Sequence, residues 1–373
     1  MYLLFFVLPV LILIPAGIYL YVFFCRIFKL LLKRDTRFVK VLGAVPALAC
    51  VFYAWPVYGW GGVAVLHLAG VSLIIELINF LMKKAPFTFK RWDVIYRSGI
   101  LTFLMIAVIF SYGYVNMQKI KRTGYRIETS KIHHGDTLRI ALMSDIHLGV
   151  TMSAEDLEGW CRKIQSQDPD LILLAGDIFD EDTKREEMEQ AASVLGRMES
   201  TYGVFYVYGN HDSNQYREEP EYSWGHLKKV LTKAGVRVLE DEVVKAGDQI
   251  CVIGRKDAGD KDRKSLEELM SSVPEHDFRI LIDHQPGDLK ENNRQGIDLQ
   301  VSGHTHAGQI WPTGQLMQLI GVNEINYGFK RTGNLQTVVT SGMAGWGYPI
   351  RTGGHCEYVI IDVTSKSKGA VTE

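Results

Sequence analysis

Apolar and polar positions change their rhythm between about residues 118 and 124. Before that point the chain carries long runs with little or no charge: Tyr2–Phe24, Val41–Trp60, Gly61–Met82 and Ser98–Val115. A helix needs about 20 apolar residues to cross a hydrocarbon core of roughly 30 Å. The runs therefore predict an all-helical membrane region over residues 1–118, with about four transmembrane helices at 2–24, 41–60, 61–82 and 98–115. The first run does not read as a cleavable signal, because no basic stretch precedes it and further spans follow. Pro9 and Pro15 would bend that helix rather than forbid it. A short glycine turn makes a hairpin of the second and third spans. Trp55, Tyr58, Trp60, Tyr112 and Tyr114 fall near span ends, where interfacial aromatics gather.

After residue 124 the apolar runs become short and β-rich. "LRIALMSD" ends at Asp145, "DLILLAGD" at Asp177 and "GVFYVYGNHD" at Asp212. Such runs predict buried strands. Further strands are expected at 249–253, 278–282, 298–301 and 337–340, with helices at 154–167 and 186–199. Alternating strands and helices predict an α/β domain over residues 138–364. A linker and first strand would occupy 119–137, and a tail 365–373. Polar residues cluster where the strands stop, which is where α/β sheets build their sites. The clusters are "SDIHLG", "GDIFD", "GNHD", "DHQP" and "GHTH".

Charge and cysteines narrow the class. Basic residues number 41 and acidic ones 42, a balance that gives no reason to expect a nucleic-acid partner. The five cysteines form no CxxC pair, which argues against a disulfide framework or zinc knuckle. Basic residues also orient the spans. The first loop holds Arg26, Lys29, Lys33, Arg34, Arg37 and Lys40 against Asp35. The third holds Lys83, Lys84, Lys90, Arg91 and Arg97 against Asp93. Positive-inside puts both in the cytoplasm and the C-terminal domain outside it. Lys119, Lys121, Arg122 and Arg126 pull the other way. Glu76 and His67 lie inside the third span, and both are expected to be hydrogen-bonded to neighbouring helices rather than to form a transport path.

The strand-end clusters combine oxygen and nitrogen ligands without thiolate, a set that suits two divalent ions of Mn, Fe or Zn. Asp145 and His147 are two residues apart and would share one face of an extended chain, as would His304 and His306. Thr305 would point the other way and tolerate change. Asp145 and Asp177 return two negative charges to the four positive ones of two ions. The remaining candidates, Asn210, His147, His284, His304 and His306, are neutral. Such a site stays net positive and attracts an anion. Taken singly, a "GD" is usually a turn and an "HTH" a polar surface loop. Five pieces in order, each at a strand end, make the metal reading the stronger one.

These motifs together resemble the calcineurin-like metallophosphoesterase superfamily, and "GHTHAGQIWP" with "SGMAGWGYPIRTG" is similar to its membrane-associated bacterial branch. The resemblance covers about residues 138–363. It implies a four-layer α-β-β-α sandwich. It implies one ion held by Asp145, His147, Asp177 and His306, and a second by Asp177, Asn210, His284 and His304, with Asp177 bridging. His211 would be the catalytic histidine, oriented by Asp212, and a hydroxide between the ions the nucleophile. Arg351, in the late glycine-rich loop, would bind a substrate phosphate. "GDIFDED" lacks the arginine of the family's protein phosphatases, which disfavours that branch. The function so implied is a membrane-anchored phosphoesterase acting on a diester, pyrophosphate or monoester, with the lipid bilayer as partner and a lipid-linked substrate compatible with the spans. A cytoplasm-facing pyrophosphatase of the UDP-diacylglucosamine type and a non-catalytic metal-bound sensor or scaffold are the alternatives. A transporter is disfavoured by the shortage of intramembrane charge.

Overall fold

The computed structural model describes residues 2–55, 57–85, 91–133, 136–212, 216–217 and 219–365, with side chains from residue 10 onward. Lys90 and residues 366–373 of the expected tail lie outside the described residues. The chain divides into two compact units, Met1–Tyr112 and Gly113–Glu373.

The first unit is helical: α1 (Tyr2–Leu32), α2 (Arg37–Tyr53), α3 (Trp60–Lys84), α4 (Trp92–Ser98) and most of α5 (Ile100–Met117). Three of the described helices, at Val10–Leu32, Trp60–Lys84 and Ile100–Met117, are long and apolar enough to cross a membrane. The expectation of about four is corrected at α2, which has 17 residues and stops at Tyr53. The physical reason is local: Trp55 precedes a proline, and a residue before proline is driven out of the α region. Arg26 and Lys29, expected in a loop, lie on α1. Glu76 is hydrogen-bonded as expected. Its carboxylate accepts from Tyr19 and Arg26 of α1 and from Tyr96 of α4. His67 Nδ1 lies 2.7 Å from the carbonyl of Val63, within its own helix rather than on a neighbouring one.

Among the described residues the second unit holds twelve strands in two sheets. They are β1 (Ile120–Thr129), β2 (Thr137–Met143), β3 (Leu171–Ala175), β4 (Val204–Val207), β5 (Arg237–Val238), β6 (Glu242–Gly247), β7 (Ile250–Gly254), β8 (Phe278–Ile282), β9 (Leu299–Ser302), β10 (Gly328–Thr332), β11 (Leu335–Val339) and β12 (Cys356–Ser365). One sheet runs β1-β12-β2-β3-β4-β5 and the other β10-β11-β9-β8-β7-β6. β2, β3, β4 and β5 are mutually parallel, as are β7, β8, β9 and β11, while β12 is antiparallel to β2.

The period of two along each strand sorts side chains into layers. Ile140, Leu142, Leu171, Leu173, Phe205 and Val207 pack with Val252, Ile280, Ile282 and Val301 of the other sheet. Their neighbours Ala141, Met143, Ile172, Leu174 and Tyr206 face α6 (Ala154–Gln165), α7 (Arg185–Gly196) and α8 (Trp224–Ala234). Cys251, Ile253 and Leu281 face α9 (Leu266–Met270) and α10 (Leu289–Arg294). The result is the α-β-β-α sandwich. Strands covered on both faces read as unbroken apolar runs, which is why "LILLA" shows no alternation. The helix at 154 starts where Ser153 accepts from the Asp156 amide and Asp156 bonds back to Ser153. β12 lies between β1 and β2 in the first sheet. It ends in no polar cluster, and a reading led by strand-end chemistry passes it over, along with β5, β6 and β10.

Candidate metal centre

The loops that leave β2, β3, β4, β8 and β9 at their C-terminal ends converge. From β2 come Asp145 and His147, from β3 Asp177, from β4 Asn210 and His211, from β8 His284, and from β9 His304 and His306. Asp145, His147, Asp177, His284 and His306 are buried. Among the described residues three groups of facing ligand atoms result: Asp145–His147–His306, Asp177–His284–His304 and His147–Asp180–His211.

In the first group His147 Nε2 is 3.1 Å from His306 Nε2, which is 3.4 Å from Asp145 Oδ1. In the second, His284 Nε2 is 3.0 Å from Asp177 Oδ2, and His304 Nδ1 faces Asn210 Oδ1 at 3.0 Å. The same Asp177 oxygen is 3.8 Å from His147 Nε2, so this carboxylate faces both groups.

The expected reason for the pairing of Asp145 with His147, and of His304 with His306, is corrected. None of the four lies in a strand. Asp145 (φ 52), His147 (φ 44), Asp177 (φ 51), His304 (φ 70) and His306 (φ 49) all adopt left-handed backbone. For residues other than glycine this costs of order 1–3 kcal/mol each, and it persists only where surrounding contacts impose it. Those contacts are present. The amide of His304 donates to Asp145 Oδ1 at 2.9 Å, and that of His211 to Asp177 Oδ1 at 2.9 Å. A Cβ at Gly303 would collide with the Asp145 carboxylate and the Ser144 hydroxyl. Thr305 is not idle either, since its hydroxyl donates to the carbonyl of Asn326 at 2.6 Å.

The ring nitrogens turned away from the centre are held. His147 Nδ1 donates to Asp180 Oδ2 at 2.8 Å, and His284 Nδ1 to the carbonyl of Ala175 at 2.8 Å. Each bond selects the tautomer whose Nε2 is free to bind an ion. His211 Nδ1 donates to Glu181 Oε2 at 2.9 Å. Glu181, and not Asp212, therefore orients His211. Asp212 is buried and accepts instead from the amides of Asp177 (2.6 Å), Gly209 (2.7 Å) and Phe179 (2.9 Å), tying two loops together. Burial, then the charge of Asp177, pushes the Asp212 carboxyl up to about 7.

Arg351 is corrected as well. Its side chain is fully buried, donating to the carbonyls of His306 and Ala344 at 2.7 Å each. It braces the loop of His306 and presents nothing to a substrate. Trp346 and Tyr216, two exposed rings, stand 5.5 and 5.3 Å from the His211 ring.

Electrostatics agree with a cation site. Burial lowers His284, but the charge of Asp177 outweighs it and raises the imidazole to about 10. Asp177 is itself held below the usual range: burial opposes this, and His284 and His147 overcome it. Burial, then the charge of His284, brings His304 down to about 4, and burial with His147 and Arg351 lowers His306 strongly. Two ligands bound about 2.1 Å from one ion lie roughly 3 Å apart, as these atoms do. His284 Nε2, buried, has no aligned hydrogen-bond partner although Asp177 is 3.0 Å away. The donor set fits a divalent cation.

A model of the calcineurin-like phosphoesterase domain matches residues 138–308. An Aquifex aeolicus metallophosphoesterase is 30% identical over 71% of this chain and 100% of its own length. The chain belongs to the calcineurin-like phosphoesterase family. This phosphoesterase is a metal-dependent phosphoric ester hydrolase. A metallophosphoesterase of Helicobacter pylori (strain J99) is 28% identical, covering 87% of this chain and 85% of the relative. A Danio rerio protein described as a transmembrane protein with metallophosphoesterase domain is 30% identical over 70% of this chain, which spans 62% of that relative.

Proposed function

We propose that the phosphoesterase is a multi-pass membrane enzyme that cleaves a phosphodiester or pyrophosphate bond at a two-ion site. The observation that carries this reading is the position of Asp177, whose single Oδ2 faces His284 and His147. One ion would be held by Asp145, His147, His306 and Asp177, the other by Asp177, Asn210, His284 and His304. Two divalent ions there lower the pKa of a water and neutralise charge on the phosphoryl group.

The protein groups supply the rest. Glu181 fixes Nδ1 of His211, which leaves Nε2 as the nitrogen available to a substrate oxygen. Burial lowers the His211 pKa, but the Glu181 hydrogen bond and the charge of Asp177 outweigh it and raise it to about 9. A proton held there at neutral pH is what a departing alkoxide or phosphate oxygen needs. Trp346 and Tyr216 flank the same ring and would exclude water from that side.

Positive-inside supports an extracytoplasmic catalytic unit, since Arg26, Lys29, Lys83 and Lys84 cluster at helix ends. Lys119, Lys121 and Arg122 favour the opposite placement, with a cytoplasm-facing pyrophosphatase as the matching activity. Cysteine accessibility at Arg126 in intact cells separates the two.

The activity test is hydrolysis of bis-p-nitrophenyl phosphate by the full chain in detergent with Mn, Fe or Zn. Turnover by the unsubstituted chain, abolished in Asp177→Ala and strongly reduced in His211→Ala, is expected. No turnover with any of the metals, or unchanged turnover in both variants, would overturn the reading.

A further inference from the structure

We infer that the stretch from Trp311 to Val322 is a membrane-docking surface that seats the catalytic unit on a lipid bilayer, and that the ester cleaved is carried by a lipid. The second half of this inference rests on the proposed hydrolase. No charged residue occurs from Ala307 through Asn323, directly after the loop of His304 and His306. Within it Trp311 is 64% exposed, Leu316 50%, Leu319 81%, Ile320 67% and Val322 63%. Single exposed apolar side chains are ordinary, but a cluster of this kind marks an interaction surface.

The exposure is imposed by packing. The segment folds as a short helix, α11 (Thr313–Leu319), capped by Ile320, and Leu316, Leu319 and Ile320 have the spacing of one face. Its opposite side is anchored. Gly314 is buried against Ala307 and Asn326, and Ile325 and Asn326 just beyond are buried too. The amide of Trp311 donates to Thr352 Oγ1 at 3.0 Å.

The occupant is identified by what lies beside it. The other side of Thr352 meets Gly113, whose Cβ position is 3.1 Å from Thr352 Cγ2, and the amide of Arg351 donates to the Gly113 carbonyl at 3.0 Å. Asn116 donates to the carbonyls of Arg351 and Gly354 at 3.0 and 2.9 Å. Gly113–Met117 belongs to the catalytic unit and is also the end of α5, a helix apolar enough to span. Through Thr352 the uncharged stretch thus adjoins Gly113–Met117, the last turns of a helix whose composition suits a membrane. A tryptophan flanked by leucine, isoleucine and valine suits the headgroup boundary and the acyl region beneath it. Trp311 follows His306 by only a few positions, so an ester anchored in that bilayer would meet the metal loop without leaving its lipid phase.

The test uses the full chain, one copy per nanodisc of phosphatidylcholine and phosphatidylglycerol, with bimane on Leu319→Cys, on Val322→Cys or on the control Arg162→Cys. Cys25, Cys161, Cys251 and Cys356 are buried, and the labelled unsubstituted chain sets the background from Cys50. Brominated acyl chains are expected to quench roughly half of the emission at 319 and 322, as for side chains seated at the acyl boundary, and none at 162. Free access of aqueous iodide to both probes without bromolipid quenching would overturn docking. Shielding from both quenchers would also overturn it, in favour of a second copy or a lid. A second arm compares bis-p-nitrophenyl phosphate in solution with hexadecyl p-nitrophenyl phosphate in vesicles. Leu319→Asp is expected to slow the vesicle substrate several-fold and leave the soluble one unchanged. Equal loss on both, or on neither, would overturn the lipid-borne substrate. If the unsubstituted chain hydrolyses neither ester, the hydrolase reading fails, while the quenching result still decides docking.

Discussion

Two networks of buried or half-buried charge in this molecule look alike in composition and differ in what they leave over. In the helical unit, Glu76 is surrounded by Arg26, Tyr19 and Tyr96, and the Arg26 guanidinium lies 4.0 Å from the Tyr96 ring centroid and 5.2 Å from that of Phe23. One carboxylate meets one cation, and donors are left over: Arg26 Nε and Nη2 are buried without a hydrogen-bond partner. At the strand ends, imidazole nitrogens face each other at 3.1 Å and a carboxylate oxygen stands 3.0 Å from a nitrogen without aligned bonding. Ligand atoms converge there from several loops. A network with spare donors ties helices together and repels a further cation. One with converging ligand atoms is a place for a cation.

That contrast can be broken by experiment, most severely at Asp177. Asp177→Asn is expected to lower kcat/KM by on the order of 10^3-fold, about 4 kcal/mol of transition-state stabilisation. Elemental analysis should also find less metal per chain. Full activity with full metal content would remove the distinction between the networks. Next in size are the groups behind the rings. Glu181→Gln and Asp180→Asn are expected to cost roughly 10- to 100-fold in activity or metal affinity, the usual range for partners that orient metal-site histidines. A null effect of Glu181→Gln, with a large one for Asp212→Asn on activity but none on thermal stability, would restore Asp212 as the orienting group.

A smaller effect concerns pH. Without metal, His284 titrates at about 10, so it is protonated at pH 7 and must lose that proton to bind an ion. Affinity should therefore rise with pH, by about tenfold per unit below that pKa. Calorimetry in buffers of different ionisation enthalpy should show a proton released on binding, and His284→Ala should abolish that release. Smaller again, Glu76→Gln is expected to destabilise the helical unit by about 1–2 kcal/mol while leaving metal content and kcat untouched. Last, Thr305→Val removes one hydrogen bond to Asn326 and should lower thermal stability by about 1 kcal/mol. Coupling of Glu76→Gln to metal content would show that the donor-rich network is not merely structural.

How much of this was legible beforehand varies residue by residue. The five strand-end motifs announced the site because each sets ligand-type residues directly after an apolar run, three of them behind a glycine. Glu181 could not be singled out, since it stands between two aspartates in "FDED" and only the turn after β3 decides which carboxylate meets His211. Arg351 reads as a phosphate ligand because a cation in a glycine-rich loop beside a metal motif suits an anion. The carbonyls of His306 and Ala344 close over it, and no local pattern carries that. Asp212 was misassigned for a related reason: adjacency to His211 in the chain says nothing of direction, and its carboxylate turns inward to three amides.

The chain by itself determined the class of chemistry, the two-part organisation and an α/β catalytic unit, and its motifs carried the resemblance that implied the sandwich. The first three follow from short-range pattern: ligand type, apolar run length, and the period of two or 3.6 along an element. Tertiary structure alone decided which side chains support the ligands, which charge is hidden, and which apolar segment is left facing out. Those outcomes depend on loops from five different strands meeting at one place. Long-range geometry of that kind is set by packing of the sheets, and it leaves no periodic trace along the chain.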